Sequence, residues 1–266
     1  MSDLFTQHEL AMGEHLRVRV GNLDLSATRG DQRWTLCWRH APYSEAPCMT
    51  AEHGVAPGTL GDDVHQRTFA FQQTQGPLAI VPMLADRAVI VRPSHDVTVA
   101  PQATVRFYVT TPLWAGIRVN NGELLLAELP CVRPKETWFG ANTIEGERCY
   151  AGRQPLCHRV TDGPVSPHRA ITPLVIRNRS SLPLPIVRLR LPVPRLPLHR
   201  SKDGTYWTSL IVVVHREGSD EVDVEVGASP PDEAGKAVRV APARNQEAGN
   251  VVSRALGSVF SHSLIP

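Results

Sequence analysis

The sequence predicts an all-β fold, built as one large or two packed β-sandwich-like domains and followed by a C-terminal amphipathic helix. Short segments alternate apolar and polar residues, which places one face of a strand in a core and the other toward solvent. Turn-forming residues separate these segments at short intervals. The 23 prolines also limit the strands, because proline cannot donate to a β-ladder and is confined to strand starts, edges and bulges.

Strands dominate the first half of the sequence. The alternation is clear in four segments: Leu16–Val20, Arg33–Trp38, Ala88–Val91 and Val105–Val109. The strongest local prediction is a tight hairpin at Asn121-Gly122, which separates GIRVN from ELLLAEL. An Asn-Gly pair between two apolar runs is the usual signal of a two-residue hairpin turn.

The second half repeats the pattern. Its predicted strands are Ala170–Arg177, Pro185–Leu191, Thr205–His215 and Glu221–Val226. Prolines cluster between Pro183 and Pro197, and this run can be interpreted as a polyproline ligand for an adaptor module or as an edge strand with extended flanks. We favour the edge strand, because apolar residues alternate there with Arg188 and Arg190.

The C-terminal part changes character. Residues 228–250 are rich in Ala, Pro and Gly, which predicts a linker with at most one short strand. From Val251 to Leu264 apolar residues recur at i, i+4 and i+8, which predicts an amphipathic helix. This helix either folds back onto the β domain or mediates binding to a protein partner, self-association or docking on a membrane surface. The expected domains are 1–130, 131–228, and 229–266 as linker and helix.

Composition excludes several classes of function. The net charge of +2 is too balanced for counterion-driven binding of nucleic acid. The sequence contains no run of 18 apolar residues, so it predicts no transmembrane segment. Five cysteines, an odd number, and an N-terminus without a secretory signal predict a cytoplasmic protein, with a position peripheral to the inner membrane as the alternative. Only three lysines occur, and we attribute this bias toward arginine to genomic base composition.

Motifs of the common enzyme classes are not found. The sequence has no phosphate-binding GxxxxGK[ST], no dinucleotide-binding GxGxxG after a strand, no HExxH and no GxSxG. It has no CxxC pair either, which excludes a zinc ribbon and a thioredoxin-type redox site. We therefore predict no cofactor and favour a protein that is not an enzyme.

The segment Cys131–His158 differs from its surroundings, because aromatic, charged and thiol side chains crowd together in it. Aromatic faces beside arginine donors suit a sugar, an anion or a peptide. A structural alternative is a long loop whose aromatics close the end of a β-sandwich. The candidate ligand-binding or partner-binding residues are Trp138, Phe139, Glu145, Arg148, Tyr150 and Arg153.

A metal or nucleophile site is a weaker interpretation of the same region. Cys149, Cys157, His158 and His168 have the chemistry of zinc ligands, but their spacing matches no compact zinc motif. Cations beside Cys149 could favour its thiolate, with His158 or His168 as the base. A buried, unreactive cysteine on a strand is the commoner outcome.

The sequence resembles an uncharacterised bacterial and archaeal family, domain of unknown function 432, from about Ala11 to Phe260. The resemblance rests on MGEH near the start and on the segments Val105–Trp114, Thr137–Arg153 and Pro167–Pro194. It implies no activity, cofactor or catalytic residue. It does imply an accessory role, with an association with small-conductance mechanosensitive channels.

Three functions remain open at this level. The first is a non-enzymatic accessory or interaction protein that associates with a membrane channel or with itself. The second is a carbohydrate- or anion-binding module that uses the aromatic and arginine residues of 136–153. The third is a cysteine- or metal-dependent enzyme at Cys149, Cys157 and His158.

Overall fold

The computed structural model describes residues 4–42, 49–54, 63–140, 146–162, 166–217 and 222–245. The chain groups into two compact units. The first unit comprises Met1–Met83 and Pro112–Arg133, and the second comprises Leu84–Thr111 and Pro134–Pro266. The boundaries expected at residues 130 and 228 remain a prediction.

Strands form most of the described chain. The first eleven are β1 (Gln7–His8), β2 (His15–Val20), β3 (Leu23–Arg29), β4 (Arg33–His40), β5 (Met49–His53), β6 (His65–Ala70), β7 (Leu78–Met83), β8 (Val89–Pro93), β9 (Val97–Val99), β10 (Thr104–Pro112) and β11 (Trp114–Val119). The others are β12 (Leu124–Pro130), β13 (Lys135–Phe139), β14 (Glu147–Gln154), β15 (Arg169–Asn178), β16 (Leu184–Ile186), β17 (Leu189–Leu191), β18 (Leu198–Arg200), β19 (Tyr206–Thr208), β20 (Ile211–His215), β21 (Val222–Val226) and β22 (Val238–Ala241). The all-β prediction is confirmed.

The first unit contains two antiparallel sheets. One has the strand order β5-β2-β3-β4-β6 and the other the order β1-β7-β11-β12. The alternation in β2 has the predicted effect, since Leu16, Val18 and Val20 are buried while the residues between them are partly exposed.

The predicted hairpin is confirmed as the connection of β11 to β12. Asn120, Asn121 and Gly122 all adopt positive φ angles, of 52°, 55° and 88°. Asparagine and glycine tolerate this left-handed region better than other residues, which explains why the chain reverses at this point.

The second unit combines three sheets. Seven strands form the largest, ordered β21-β20-β15-β19-β18-β22 with β10 also paired to β15. Four strands follow the order β13-β14-β8-β17, and β16 pairs with β9. Several pairs are parallel: β14 with β8, and β15 with β19 and β20. Parallel neighbours require long connections, so local patterns do not reveal them.

The proline-rich run forms two short strands rather than one. β16 and β17 are separated at Val187 and Arg188, and β17 lies at the edge of the four-stranded sheet. The edge-strand prediction is therefore confirmed for Leu189–Leu191. An edge position suits a segment flanked by prolines, because one side of the strand needs no ladder donors.

Helical structure is limited in the described residues to three-residue 3-10 turns, at Val160–Asp162, Val193–Arg195 and Asp232–Ala234. The helix predicted over Val251–Leu264 lies outside the described residues. In that described part, no helix is long and apolar enough to cross a membrane. The sequence predicted at most one short strand in 228–250, and β22 is such a strand, paired with β18.

Candidate functional site

Strands β13 and β14 bring the main site candidates onto one face of a sheet. They pair in antiparallel register, so that Trp138 lies opposite Arg148 and Glu136 opposite Tyr150. Residues two apart on a strand share a face, and directly opposite residues are close neighbours. Trp138, Arg148, Glu136 and Tyr150 therefore form one cluster, although Trp138 and Arg148 are 10 positions apart in sequence.

The opposite face of these strands is part of the core. Phe139 and Cys149 are buried there, packed with Ala88 and Ile90. Phe139 also lies under the guanidinium of Arg188, 4.9 Å from the ring centroid. Its ring is not available to a ligand on the Trp138 face, so we leave Phe139 out of the proposed binding surface.

An ion-pair network lies on the exposed face. One oxygen of Glu136 accepts a hydrogen bond from Nη2 of Arg148 at 2.6 Å, and the other accepts one from Nη1 of Arg87 at 2.9 Å. These hydrogen bonds from Arg148 and Arg87 lower the pKa of Glu136. Glu136 therefore bridges the two arginines, and Arg148 lies directly opposite Trp138 in the ladder.

Tyr150 anchors this network to the sheet. Its hydroxyl donates to Oδ1 of Asp86 at 2.8 Å, and the guanidinium of Arg87 lies 5.4 Å from its ring centroid. Burial and the bond to Asp86 raise the pKa of Tyr150 to about 12. Tyr150 is thus a neutral, mostly buried support rather than a freely accessible ligand contact.

Sequence reasoning missed Asp86 and Arg87. They precede β8, which pairs in parallel with β14 and places Val89 opposite Tyr150. No motif connects these positions to 136–150. The only local signal was an acidic and a basic residue next to each other just before a predicted strand.

Trp138 is the exposed apolar element of the cluster, with 46% of its surface accessible. An indole this exposed, directly opposite the guanidinium-bearing Arg148, offers a flat apolar face next to hydrogen-bond donors. The charges of Arg87 and Arg148 are balanced by those of Glu136 and Asp86. This balance favours a neutral or mixed-charge ligand over a simple anion.

The side chains of two other site candidates lie outside the described residues. Glu145 lies outside the described residues. Arg153 is placed by its backbone, which pairs with Arg92 of β8, whereas its side chain lies outside the described part.

The four metal candidates occupy separate environments. Cys149 is in the core, Cys157 forms a backbone bridge with Tyr108, and the ring of His158 lies 4.8 Å from that of Phe107. His168 is buried, with Nδ1 2.9 Å from the hydroxyl of Ser166. In the described ranges, no group of three or more His, Cys, Asp or Glu residues could hold a metal ion.

Cys149 is poorly suited to act as a nucleophile. Its side chain is fully buried, and burial, supported by the nearby charge of Glu147, raises its pKa to about 11. The attacking species would be the thiolate, which is scarce at such a pKa.

We expect Cys149 of the folded protein to react with iodoacetamide about a hundredfold more slowly than the same thiol in urea-unfolded chain, because both its accessibility and its thiolate fraction are reduced. Peptide mapping by mass spectrometry over a time course measures the rate at each cysteine. Equal rates in the folded and unfolded protein would revive the nucleophile interpretation.

Comparison with known proteins adds one finding. No curated protein and no solved structure gives a significant match to the chain. The model of one family, described as "Protein of unknown function (DUF432)", matches residues 4–260. Because this match covers nearly the whole chain, the protein belongs to the DUF432 family.

Proposed function

We propose that this chain is a non-enzymatic β-sandwich accessory protein that recognises a protein partner through the Trp138 surface, which we define as Trp138, Glu136, Arg148 and Arg87, with Tyr150 as its buried support. One observation carries the proposal: an indole with nearly half its surface exposed lies directly opposite Arg148, which belongs to an ion-pair network with Glu136 and Arg87. Sandwich packing of the sheets is part of the same proposal.

The composition of this surface supports protein recognition. Tryptophan and arginine are among the residues most enriched at the energetic centres of interfaces. The network holds Arg148 and Arg87 in place before binding, so less side-chain entropy is lost on association. Mixed charges at the rim also allow a partner to be selected by complementary pairs.

A neutral carbohydrate is the second candidate. The flat indole can stack on a sugar ring, and the carboxylate and guanidinium groups beside it can hydrogen-bond to hydroxyls. Charge balance supports this choice over an anion, because each guanidinium of the surface already faces a carboxylate. The cysteine-dependent alternative receives no support from the buried thiol of Cys149.

The identity of the partner remains a prediction. The association with a mechanosensitive-type channel rests on family resemblance, and self-association through Val251–Leu264 rests on the sequence pattern. The cytoplasmic location and the position at the inner membrane have the same status. The Trp138 surface is a separate contact, so its test does not depend on the C-terminal segment.

We expect Trp138→Ala to weaken partner binding at least about thirtyfold, equivalent to about 2 kcal/mol, with little change in stability. The indole is exposed, so its removal leaves no cavity in the core. Cross-linking of the native protein in cells, followed by mass spectrometry, identifies the partner peptides, and titration of the identified partner measures the affinity. Sedimentation velocity distinguishes a second copy of this chain from another protein.

Leu182→Ala is the matched control, because Leu182 is also an exposed large apolar residue of the second unit. It should bind like the native chain. A glycan array read with both variants tests the carbohydrate alternative. If Trp138→Ala changes neither partner binding nor glycan binding, the Trp138 surface is excluded as the recognition site.

A further inference from the structure

A second surface of the second unit has a different character. A groove of about 440 Å³ opens where the β18–β19 hairpin turns and β22 begins. This volume is in the range of small-molecule sites. The residues that line it and matter here are Arg200, Lys202, Asp203, Gly204, Lys236 and Val238.

The ladder geometry explains why cations gather there. β18 and β22 are antiparallel, with Arg200 opposite Val238. Lys202 lies in the turn that follows β18, and Lys236 lies just before β22, so both lysines are at the same end of this strand pair. Arg200, Lys202 and Lys236 all line the groove.

Like charges that line one small site repel each other. Both lysines are exposed, and they line the groove together with Arg200, whose guanidinium lies 5.5 Å from the ring centroid of Tyr206. An anion in the groove would compensate the charges of Lys202 and Lys236.

Among the described residues that line the groove, the only carboxylate belongs to Asp203. Asp203 accepts a hydrogen bond from the backbone N–H of Thr205 at 2.9 Å and another from the hydroxyl of Ser201. The bonds from Ser201 and Thr205 lower the pKa of Asp203. Asp203 therefore stabilises the hairpin in its charged form, and Lys202 and Lys236 are the two ammonium groups that line the same groove.

The distribution of lysine singles out this groove. The chain contains three lysines among its 28 basic residues, and two of the three line the same groove. An ammonium is a compact point charge that binds phosphate oxygens. Val238, which is 65% exposed, adds an apolar wall for the rest of a ligand.

We infer that the groove formed by Arg200, Lys202 and Lys236 binds the phosphate group of a phosphomonoester, with the organic part of the ligand against Val238. The ligand is either a soluble phosphorylated metabolite or the headgroup of a membrane lipid. This inference is independent of the Trp138 surface, which lies on another sheet.

The scarcity of lysine makes a direct test straightforward. Reductive methylation with ¹³C-formaldehyde keeps the charge and gives separate NMR signals for Lys135, Lys202 and Lys236. Titration with glycerol 3-phosphate, and with inorganic phosphate, is compared with sodium chloride at the same ionic strength. We expect saturable shifts at Lys202 and Lys236 and none at Lys135.

The double variant Lys202→Ala/Lys236→Ala should bind glycerol 3-phosphate at least about tenfold more weakly, because two charged contacts are lost. Both side chains are exposed, so the fold should be retained. Lys135→Ala is the matched control, since it removes the third lysine from strand β13, and its affinity should equal that of the native chain.

Vesicles distinguish the two sources of phosphate. Co-sedimentation with phosphatidylcholine vesicles that contain phosphatidic acid, but not with phosphatidylcholine alone, supports a lipid headgroup, whereas binding of glycerol 3-phosphate without vesicle binding supports a soluble ligand. Equal shifts of all three lysines, unchanged affinity of the double variant, or no response to phosphate and vesicles would each overturn the inference.

Discussion

Replacing Asp24 by asparagine is expected to lower the free energy of unfolding by about 2 to 3 kcal/mol. Asp24 lies on β3 with its side chain only 7% exposed. Its two oxygens accept hydrogen bonds from Nε and Nη2 of Arg17, at 2.9 and 2.8 Å. An amide keeps the shape but removes the charge, so Arg17, itself only 11% exposed, would lose these two charged hydrogen bonds and keep Glu52, opposite it on β5, as its carboxylate neighbour.

Two further arginines increase the effect. Arg19 and Arg39 are the direct neighbours of Asp24 on the adjacent strands β2 and β4. Their Nε atoms lie 3.9 and 3.8 Å from its carboxylate. Without that charge, three guanidiniums would occupy neighbouring positions on one face of the sheet and repel one another.

Asp223→Asn is the matched control. Asp223 accepts hydrogen bonds from Nε and Nη2 of Arg216 at 3.1 and 2.9 Å, and each pair spans seven residues of sequence. The second pair is exposed, with 67% of Arg216 and 36% of Asp223 accessible, so we expect a loss below about 1 kcal/mol. Urea unfolding of both variants measures the difference, and equal losses would mean that burial does not govern the Asp24 cluster.

The Asp24 cluster shows what alternation can and cannot predict. The pattern of LRVRV places Arg17 and Arg19 on the outer face of β2, as the structure has them. It does not reveal that β3 presents an aspartate between these arginines and Arg39, because cross-strand neighbours depend on register. Register follows from the whole sheet and from its turns.

The Trp138 surface shows the same limit. The sequence singled out the segment that carries Trp138, but it grouped Trp138 with Phe139 as if both faced a ligand. Adjacent residues on a strand point to opposite faces, so recognising β13 as a strand would have separated them. Asp86 and Arg87 required the parallel pairing of β14 with β8, which no local pattern encodes.

The groove formed by Arg200, Lys202 and Lys236 could not be predicted from the sequence, for a different reason. Lys236 lies in 228–250, whose composition predicts a linker, whereas Lys202 lies just before the predicted strand Thr205–His215. The pairing of β22 with β18 brings them together. A short strand of four residues in a proline- and alanine-rich segment contributes little apolar surface, so its place at the edge of the large sheet cannot be recognised from hydrophobic periodicity.

The folded chain is expected to lose about 2 to 3 kcal/mol of stability through His168 alone between pH 7 and about pH 4.5. His168 is buried, and its Nε2 has no hydrogen-bond partner among the described residues. Burial, together with the neighbouring charge of Arg169, lowers the pKa of His168 from 6.5 to about 4. The unfolded chain therefore takes up the proton first as the pH falls.

This order of protonation determines whether stability rises or falls with pH, and over which pH range it changes. The contribution of neutral His168 to stability is fully present above pH 6.5, decreases as the pH falls from 6.5 to about 4, and changes no further below that.

Burial also lowers the pKa values of His8, His40 and His199, so the acid-induced loss in the native chain cannot be assigned to His168 alone. His168→Gln removes the titration, and urea unfolding at both pH values should therefore show a smaller acid-induced loss in this variant than in the native chain, by about 2 to 3 kcal/mol. His95→Gln changes an exposed histidine of the same unit and should show the native loss. If His168→Gln loses as much stability in acid as the native chain, His168 takes up its proton at the same pH in the folded and the unfolded chain, and burial does not lower its pKa.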